Sequence, residues 1–592
     1  PNRRTRQVFA NHAMTVTTSL LRLAVAATAV RGAAMAEVRL AALEAAVQQV
    51  VEQSARYYNT SYVAAVYGED GGRPFMATHA AGMADRAGRV PITVGSAVPV
   101  GSVTKPFTAM RVMQLARRGR LGPAGIDTPI HQMVDPWLAK QTPPAPPMLA
   151  LWRNDPTVTS ITIRQVMGMS AGLQDYSDPF LEAWTKAHPT EDYLPMDFLS
   201  SLNKTWLYRP GQGSAYSSTG YVLLGMVIAQ AEGDGTWQDV DQTRVFREGA
   251  LVPLALNDTF FAKGGPCSQY PAVVHQYAMA AAFEEAVPRA LRQSGGMGVA
   301  AASAAASAAA AAVAALSTGI AAATPLPQCS STNWTKNVRV AGYLIPSDAT
   351  FATAAECCSY ANTYPLSLYV SQWTHMTNGT CILLYMASGP PVPAANAVTG
   401  TVVTPPLTED MFFDLYDDSC LNGWTMGNIA ASARDIARFF YWVFHGRIVP
   451  QAQLAEMMDW HYFTTGFMTC PTTVPTPLKP VFCMGYGLGL MQTPITFPAA
   501  PGACDKHHPH CLCAGFGAHR QCQVYFTMQG HAGEDWGSSM PAVGFFPDLN
   551  VSISLSTNSA AAMNFTGLSA KENIMAPNVV SCELVRVLVP LL

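Results

Sequence analysis

All thirteen cysteines of this 592-residue chain lie between Cys267 and Cys582. The residues before Cys267 therefore cannot form disulfides, whereas the second half can be cross-linked by them. A chain of this length exceeds the roughly 250 to 300 residues at which a single hydrophobic core stops growing, so we expect more than one domain. The odd number leaves at least one cysteine free or paired between chains.

Sites for N-linked glycosylation accompany the cysteines. An Asn-x-Ser/Thr sequon begins at seven positions, namely Asn59, Asn203, Asn257, Asn333, Asn378, Asn550 and Asn564. Clustered cysteines together with these sequons favour an oxidising compartment. We therefore predict a secreted or lumenal glycoprotein whose cysteines form disulfides.

Residues 1–36 contain five arginines and no acidic residue. We interpret them as a leader-like N-terminal extension, either a remnant of a secretory signal or a mitochondrial transit peptide, so mitochondria are the alternative location. Arg22 interrupts the apolar run of this extension, which argues against a transmembrane span. The formal net charge of −3 and the lack of a dense Lys/Arg run argue against a nucleic-acid partner.

Two segments of biased composition divide the chain. Residues 298–323 are alanine-rich and uncharged, and the later segment GPPVPAANAVTGTVVTPP is rich in proline. Segments of this kind connect domains. We therefore predict that the insert starts, with its alanine-rich linker, at residues 267–324, that a cysteine-rich inserted module follows at 325–400, and that a second linker lies at 401–420. Residues 37–266 and 421–592 then form one larger domain.

The two parts of the larger domain have sequence patterns that predict helices and strands. Leu40, Leu43, Val47 and Val50 have helical spacing, YVAAVYGED has the pattern of a strand, and KPFTAMRVMQLARRGRL predicts a helix that begins at Ser102. Nearer the C-terminus, MGNIAASARDIARFFYWVFHG predicts another helix. MPAVGFFPDLNVSISLSTN predicts a hairpin that ends in a buried strand.

Ser102 and Lys105 form a Ser-x-x-Lys motif at the start of the predicted helix. Residues at i and i+3 project to the same side of a helix, so a lysine amine kept neutral by its surroundings can take the serine proton. A second such motif, Ser201 to Lys204, contains a sequon and runs into a loop. On GSVTK alone, a helix cap followed by a solvated lysine is the plainer interpretation.

Three further stretches change that interpretation. RPGQGSAYSSTGYVLLGMVIAQAEG, GNIAASARDIARFFYWVFHG and QGHAGEDWGSSMPAVGFFPDLNVSISLSTN follow GSVTK in the order found in serine β-lactamase-like proteins. They resemble the penicillin-binding-protein and class C β-lactamase branch, which includes D,D-peptidases, D-amino-acid peptidases, esterases and eukaryotic mitochondrial relatives. The resemblance implies an α+β fold: an antiparallel sheet flanked by helices, a mostly helical subdomain and a cleft between the two.

The resemblance also assigns roles to residues. The family's Ser-x-x-Lys falls on Ser102 and Lys105, its Tyr-x-Asn on Tyr216, Ser217 and Ser218, and its Lys/His-x-Gly on His531, Ala532 and Gly533. The implied chemistry is acyl transfer, in which the serine attacks a carbonyl, Lys105 and Tyr216 share the proton transfers and water releases the acyl group. The backbone N–H groups of Ser102 and Glu534 would bind the oxyanion. No cofactor or metal is implied, and we expect the lysine cation to depress the pKa of Tyr216.

Several departures from the family pattern bear on the substrate. Ser218 stands where the family has asparagine, Glu534 brings a carboxylate beside the oxyanion, and MGMSAGLQDY matches only the end of the family's Ser-His-Thr-Ser-Gly-Leu-x-x-Tyr. His531 replaces the usual lysine, which favours an esterase or peptidase over a penicillin-type carboxylate substrate. We therefore predict a serine hydrolase acting on a small-molecule or peptide amide or ester. The alternative is a catalytically weak scaffold or adhesion protein that acts through its insert and glycans.

The cysteine-bearing segments of the second half have their own interpretations. The stretch from Cys329 to Cys381 resembles a diverged apple/PAN module, which implies a protein or carbohydrate ligand; an undefined disulfide-bonded loop is the alternative. CDKHHPHCLC, from Cys504 to Cys513, favours disulfides, with a zinc site as the alternative. No core motif contains a cysteine, so we expect the catalytic core to depend on none of them. The sequence leaves the oligomeric state open.

Overall fold

The computed structural model describes residues 38–56, 59–176, 181, 184–185, 187–279, 334–339, 342–345, 350–363, 372–387, 392–401, 412–421, 423–466, 468–498, 510–514, 521–560 and 576–592. Several features predicted from the sequence lie outside these residues. They are the leader-like extension, the alanine-rich linker, the sequons at Asn333 and Asn564, and the cysteines Cys329 and Cys504.

The β-strands range from two to fourteen residues in length. They are β1 Tyr62–Asp70, β2 Arg73–Ala81, β3 Met83–Asp85, β4 Val90–Pro91, β5 Val98–Pro99, β6 Thr259–Phe261, β7 Tyr277–Met279, β8 Thr335–Arg339, β9 Gly342–Ile345, β10 Gln372–His375, β11 Cys381–Ala387, β12 Val392–Thr401, β13 Phe412–Asp414, β14 Ile429–Ala431, β15 His461–Tyr462, β16 Gly485–Tyr486, β17 Met491–Pro498, β18 Cys511–Ala514, β19 Gln521–Glu534, β20 Ser539–Phe546, β21 Val551–Thr557 and β22 Ser559–Ala560.

Helices separate these strands. They are α1 at 38–56, α2 Thr104–Arg117, α3 His131–Leu138, α4 Met148–Leu151, α5 Ile163–Met167, α6 Pro195–Ser201, α7 Thr219–Glu232, α8 Arg244–Arg247, α9 Ala354–Thr363, α10 Ala433–Phe444, α11 Gln451–Met457, α12 Lys479–Phe482 and α13 Ala576–Leu588. Among the residues described, none of the helices combines the length and apolarity needed to cross a membrane.

The largest sheet joins the beginning of the chain to its end. Its strand order is β15-β16-β17-β19-β20-β21-β1-β2, with β18 paired to β19, and neighbouring strands run antiparallel. β1 pairs with β21 from Tyr62 opposite Thr557 to Gly68 opposite Val551. The predicted α+β fold, with an antiparallel sheet made from both ends of the chain, is confirmed.

Strand β1 is buried on both faces, which explains why YVAAVYGED is an almost continuous apolar run. Val63 and Ala65 belong to the core cluster that includes residues of α10, whereas Ala64 and Val66 belong to the cluster that includes residues of α1. Successive side chains of a strand point to opposite faces, so helices cover both sides of the sheet. Burying each of the two valines contributes about 1.5 to 3 kcal/mol.

Helix α2 connects the sheet to the helical part of the molecule. Phe107 of α2 stacks on Phe439 of α10, with the ring centroids 3.8 Å apart. On its other side α2 packs against α7, which is buried from Thr219 to Ala229 and therefore lies at the centre of helices α2 to α8. The chain leaves α7 through Gly233, whose φ of +83° is the left-handed conformation that commonly ends a helix. The predicted helical subdomain is present between residues 104 and 247.

The insert begins and ends at neighbouring strands. β7 pairs antiparallel with β13, and a disulfide joins Cys267 to Cys420 nearby. Between β7 and β13 the chain forms a five-stranded antiparallel sheet in the order β8-β12-β10-β11-β9, and α9 packs against β10. A bond between Cys357 and Cys381, called the insert disulfide below, ties α9 to β11.

Other cysteines agree with the prediction of an oxidised second half. Cys470 and Cys483 form a bond, called the loop disulfide below, that closes the segment between β15 and β16. Cys358 and Cys511 are also disulfide-bonded. Within the described part of the chain, Cys582 is the one free thiol.

The sequon asparagines within the described ranges are all exposed. They are Asn59, Asn203, Asn257, Asn378 and Asn550. Exposure is a requirement for an N-linked glycan, and glycosylation itself stays a prediction.

Candidate active site

Ser102 lies in a single turn of 3-10 helix, Gly101–Val103, between β5 and α2. Gly101 has a φ of +52°, and a Cβ at this position would lie 2.0 Å from the carbonyl oxygen of Glu534. A Cβ on Gly533 would lie 2.1 Å from the carbonyl oxygen of Val100. Two glycines therefore allow the end of β19 to pack its backbone directly against the turn that carries Ser102.

Lys105 is the nearest titratable partner of Ser102. Its Nζ donates a hydrogen bond of 2.7 Å to Ser102 Oγ and one of 3.3 Å to the carbonyl oxygen of Met426. The lysine side chain is fully buried. Burial lowers the pKa of its amine to about 7, although the nearby Asp175 acts in the opposite direction. The lowered pKa gives access at neutral pH to the neutral amine, which can accept the serine proton.

Tyr216 also contacts the serine. Its hydroxyl forms hydrogen bonds with Ser102 and Ser218, and Lys105 Nζ lies 4.9 Å from the centroid of its ring. Burial raises the pKa of Tyr216, and Asp175 raises it further. The expectation that the lysine depresses this pKa is therefore wrong, because the phenolate would lose its solvation in a buried site. Tyr216 keeps its proton and can act as a hydrogen-bond donor.

Ser217 and Ser218 attach Tyr216 to the neighbouring loop and helix. Ser218 is buried and immediately precedes α7, and Ser217 Oγ donates a hydrogen bond of 3.1 Å to the carbonyl oxygen of Gln174. The hydrogen bond of Ser218 with Tyr216 gives this serine a contact inside the site.

His531 reaches the site from β19. Its ring is fully buried, with its centroid 6.4 Å from that of Tyr216. Burial, and then the charge of Lys105, lower the pKa of His531 to about 3, so the ring is neutral. Its Nδ1 contacts the carbonyl oxygen of Ala532 and therefore carries the proton, while Nε2 lies 3.4 Å from Tyr486 Oη. His531 therefore adds no positive charge to the site.

Two further tyrosines complete this side of the site, and the sequence motifs did not indicate them. Tyr486 Oη donates a hydrogen bond of 3.3 Å to Tyr221 Oη, which donates one of 2.9 Å to the carbonyl oxygen of Met167. Lys105 Nζ lies 5.7 Å from the centroid of the Tyr221 ring. The tyrosines fill the space around the lysine with apolar rings and so keep water away from its amine.

Asp175 is a third residue of the site that the motifs did not indicate. Its Oδ1 accepts hydrogen bonds of 3.1 Å and 3.2 Å from N and Oγ1 of Thr219, the first residue of α7. Burial raises the pKa of Asp175, and its charge raises the pKa of both Lys105 and Tyr216. The one signal in the sequence is its place beside Tyr176 in MGMSAGLQDY.

Glu534 is the last residue of β19 and lies opposite Ser539 of β20. Its backbone packs against Gly101, the residue before the nucleophile. The side chain is half-buried, and burial raises the pKa of its carboxyl to about 8. The raised pKa favours the protonated, neutral form of this carboxyl at neutral pH.

The second Ser-x-x-Lys motif has a different environment. Lys204 Nζ donates to the carbonyl oxygen of Leu199 and lies 5.1 Å from the centroid of the Trp152 ring. Ser201 accepts a hydrogen bond of 2.9 Å from Tyr193 Oη and donates one to a backbone carbonyl. The structure thus pairs serine with lysine in GSVTK and not in SLNK.

The loop disulfide supports one wall of the site. The loop that it closes is preceded by Phe463, whose ring centroid lies 6.3 Å from that of Tyr216, and followed by Tyr486, whose centroid lies 6.1 Å from it. The backbone N–H of Cys470 donates a hydrogen bond of 3.0 Å to the carbonyl oxygen of Phe463. No cysteine lies in a site motif, but a disulfide holds two of the aromatic rings that contact Tyr216, which the sequence did not predict.

The described residues contain no group of three or more His, Cys, Asp or Glu side chains arranged to hold a metal ion. The histidines of CDKHHPHCLC up to Pro509 lie outside those residues. Cys511 of the same stretch is disulfide-bonded, in line with the preference for disulfides over zinc.

Comparison with known proteins identifies the family. A segment of 181 residues, 31% of this chain, is 28% identical to penicillin-binding protein 4* of Bacillus subtilis (strain 168) and covers 34% of that protein, about a third of its length. Among solved structures, a D-amino acid amidase from Ochrobactrum anthropi SV3 is 15% identical, with a TM-score of 0.49 over 93% of this chain and 99% of its own. A penicillin-binding protein from Bacillus halodurans is 14% identical, with a TM-score of 0.40 over 89% of this chain and 96% of its own. The sequence model of the β-lactamase family matches residues 43–568, so the chain belongs to the β-lactamase family of serine hydrolases.

Proposed function

We propose that the protein is a serine hydrolase that forms an acyl-enzyme at Ser102 on an amide or ester substrate. The observation that supports this most is the hydrogen bond of 2.7 Å between Lys105 Nζ and Ser102 Oγ, in a buried site where the pKa of the amine falls to about 7. A solvated lysine, with a pKa of about 10.4, would hold its proton at neutral pH and could not activate the serine.

In the acylation step, neutral Lys105 takes the proton of Ser102 Oγ as that oxygen bonds to the substrate carbonyl carbon. The carbonyl oxygen becomes an oxyanion, for which the backbone N–H groups of Ser102 and Glu534 are the proposed donors. When the intermediate collapses, Tyr216 gives its proton to the leaving nitrogen or oxygen and regains one from the protonated lysine. The amine or alcohol leaves, and the acyl group stays on the serine.

In the deacylation step, a water molecule repeats this sequence. It loses a proton to neutral Lys105 and attacks the acyl carbon, and the second intermediate collapses with protonation of Ser102 Oγ. A carboxylic acid leaves and the free enzyme is restored. The raised pKa of Tyr216 fits the role of a proton relay that is not itself the first base.

The charges of the site favour a substrate without a carboxylate near His531. The ring of His531 is neutral because its pKa is lowered to about 3, and Lys105 already donates to a serine and a backbone carbonyl. Asp175 adds an acidic group that acts on Lys105 and Tyr216. We therefore propose a small-molecule or peptide amide or ester as substrate, and not a penicillin-type acid.

The disulfides and the exposed sequons support a secretory location, which we include in the proposal. The insert has a helix held on a five-stranded sheet by the insert disulfide, which supports a small module of its own. Its proposed role, binding a protein or a carbohydrate, rests on the resemblance to apple/PAN modules.

A fluorophosphonate probe tests the proposed function directly. Attack by Ser102 Oγ on phosphorus expels fluoride and leaves a stable adduct that peptide mapping locates. We expect labelling on the peptide of Ser102, its loss in Ser102→Ala, and its retention in Ser201→Ala, the matched serine of the second Ser-x-x-Lys motif. If the folded protein reacts with neither this probe nor a penicillin-type acylating probe, the proposed function fails and the scaffold alternative is favoured.

A further inference from the structure

Helix α5 ends with a methionine in a position where glycine is usual. The backbone N–H of Ser170 donates a hydrogen bond of 2.8 Å to the carbonyl oxygen of Gln165. The N–H of Met169 donates one of 3.3 Å to the carbonyl oxygen of Val166. This pair of bonds closes many helices, and the residue at its left-handed position is usually glycine, because a side chain is strained there. Met169 occupies that position with a φ of +55°.

The side chain of Met169 is retained at this strained position although it is not needed to end the helix. It is 3% exposed, so it lies inside the protein and not at its surface. Non-glycine residues held in the left-handed region cluster at functional sites, where the surrounding structure imposes the strain. The contacts of Met169 therefore indicate what its side chain does.

Met169 binds the backbone on both sides of Tyr216. Its carbonyl oxygen accepts a hydrogen bond of 3.1 Å from the N–H of Ala215, and its Sδ accepts one of 3.2 Å from the N–H of Ser217. Ser217 is buried as well. A buried N–H that loses its acceptor is unfavourable, so removal of the sulfur favours a shift of the backbone next to Tyr216.

Other contacts join the same two segments. The carbonyl oxygen of Met169 also accepts a hydrogen bond of 3.0 Å from Tyr208 Oη, and Ser217 Oγ donates one of 3.1 Å to the carbonyl oxygen of Gln174. The segment that carries Tyr216 is thus fixed to the loop that follows α5. Because the Tyr216 hydroxyl contacts Ser102, a small shift of this segment moves the hydroxyl relative to the reacting oxygen.

We infer that Met169 is a positioning residue, whose thioether and carbonyl hold Tyr216 where its hydroxyl can give a proton to the leaving group. This inference rests on the proposed hydrolase function and adds a residue that acts through Tyr216 and not on the substrate. The need for Met169 should grow with the basicity of the leaving group, because a weakly basic group leaves without a proton.

Two phosphonate probes with the same alkyl chain and different leaving groups provide the test. Attack by Ser102 Oγ forms an O–P bond and breaks either the P–F bond of a fluorophosphonate or the P–O bond of a phenyl ester. The bonding electron pair leaves with fluoride or phenoxide. Fluoride is a weak base, whereas phenoxide, whose conjugate acid has a pKa of about 10, takes the proton that Tyr216 gives. Tyr216 regains a proton from the protonated Lys105.

Met169→Leu keeps a side chain of similar volume and removes the sulfur. We expect it to slow labelling by the phenyl ester at least about tenfold more than labelling by the fluorophosphonate, since general acid catalysis commonly contributes that much or more. Met226→Leu is the matched control, because Met226 is fully buried in the neighbouring helix α7, and it should change neither rate. Thermal unfolding checks that the variants are folded.

Met169→Gly distinguishes positioning from a role in ending the helix. Glycine suits the left-handed turn at least as well as methionine, so a residue needed for the turn alone predicts wild-type rates with both probes. Positioning predicts the same selective loss as in Met169→Leu. In a Tyr216→Phe background, Met169→Leu should slow the phenyl ester no further, because the hydroxyl that it positions is gone.

The outcomes separate this inference from the function on which it rests. If Ser102 is labelled and folded Met169→Leu loses both rates equally or neither, the inference is overturned and the hydrolase proposal stands. Wild-type rates in Met169→Gly, or a selective loss that persists in the Tyr216→Phe background, overturn it as well. A wild-type protein that neither probe labels overturns both.

Discussion

Replacing Gly101 by alanine tests whether the contact between the Ser102 turn and β19 is needed for activity. An alanine in the left-handed region costs about 1 to 2 kcal/mol wherever it occurs. At this position the added Cβ would also lie 2.0 Å from the carbonyl oxygen of Glu534, whereas ordinary contacts begin at 3.4 Å. The turn and the strand must therefore separate by about 1.4 Å, the difference of these two distances.

Gly125 supplies a closely matched control. Like Gly101 it is the first residue of a 3-10 turn, and its φ of +57° compares with +52° at Gly101. A Cβ at Gly125 would have no neighbour within 4 Å. The two alanine variants thus share the backbone strain and differ in the collision with β19.

We expect the variants to lose similar stability and very different activity. A displacement of about 1 Å at a reacting group can lower the rate about a hundredfold, so the rate of fluorophosphonate labelling in Gly101→Ala should fall by that factor or more. Gly125→Ala should label within about twofold of the wild type. Thermal unfolding by circular dichroism checks that both variants are folded. Equal labelling rates in two folded variants would refute the role assigned to this contact.

Two other perturbations act on the same site by different means. Asp175→Asn keeps an acceptor for Thr219 but removes the charge that raises the pKa of Lys105. The acid limb of the pH profile of kcat/KM should therefore move to lower pH by about one unit. An acid limb that stays in place or moves to higher pH contradicts the assignment of the lysine as base. Replacing both cysteines of the loop disulfide by serine should slow labelling of Ser102 several-fold, because the rings of Phe463 and Tyr486, which contact Tyr216, lose their support. The same replacement at the insert disulfide should leave the labelling rate unchanged. Equal labelling rates in these two disulfide variants would show that the loop disulfide is not needed to hold the rings of Phe463 and Tyr486 against Tyr216.

The elements that the sequence predicted well are those whose pattern is local. β1 coincides with YVAAVYGED, and the hairpin near the C-terminus appears as β20 and β21, with β21 buried along its whole length. The helix after GSVTK was also predicted, but Ser102 lies in a 3-10 turn before it, and α2 begins at Thr104. A 3-10 turn of three residues changes no periodicity, so the sequence carries no signal for it.

Residues that reach the site through tertiary packing left no such signal. Met426 supplies the second acceptor for Lys105 across 321 positions of the chain, and Tyr486 contacts His531 from a strand of two residues. The pKa of Tyr216 likewise depends on tertiary packing, which the sequence motifs do not show. Motif reasoning placed a cation beside the phenol and expected its pKa to fall, whereas desolvation of the phenol by the surrounding fold dominates and raises it.

The position of the insert explains how the site tolerates a large interruption between its two halves. The chain leaves the core along β7 and returns along β13, and these strands pair antiparallel, so the two ends of the insert are neighbours in the folded structure. The Cys267–Cys420 disulfide fixes the same closure a few residues outside the pair. The entropy of closing a loop grows slowly with its length, so a longer segment between fixed ends adds little strain to the core. His531 can therefore meet Lys105 and Tyr216 in a buried site, although the insert separates them in the sequence.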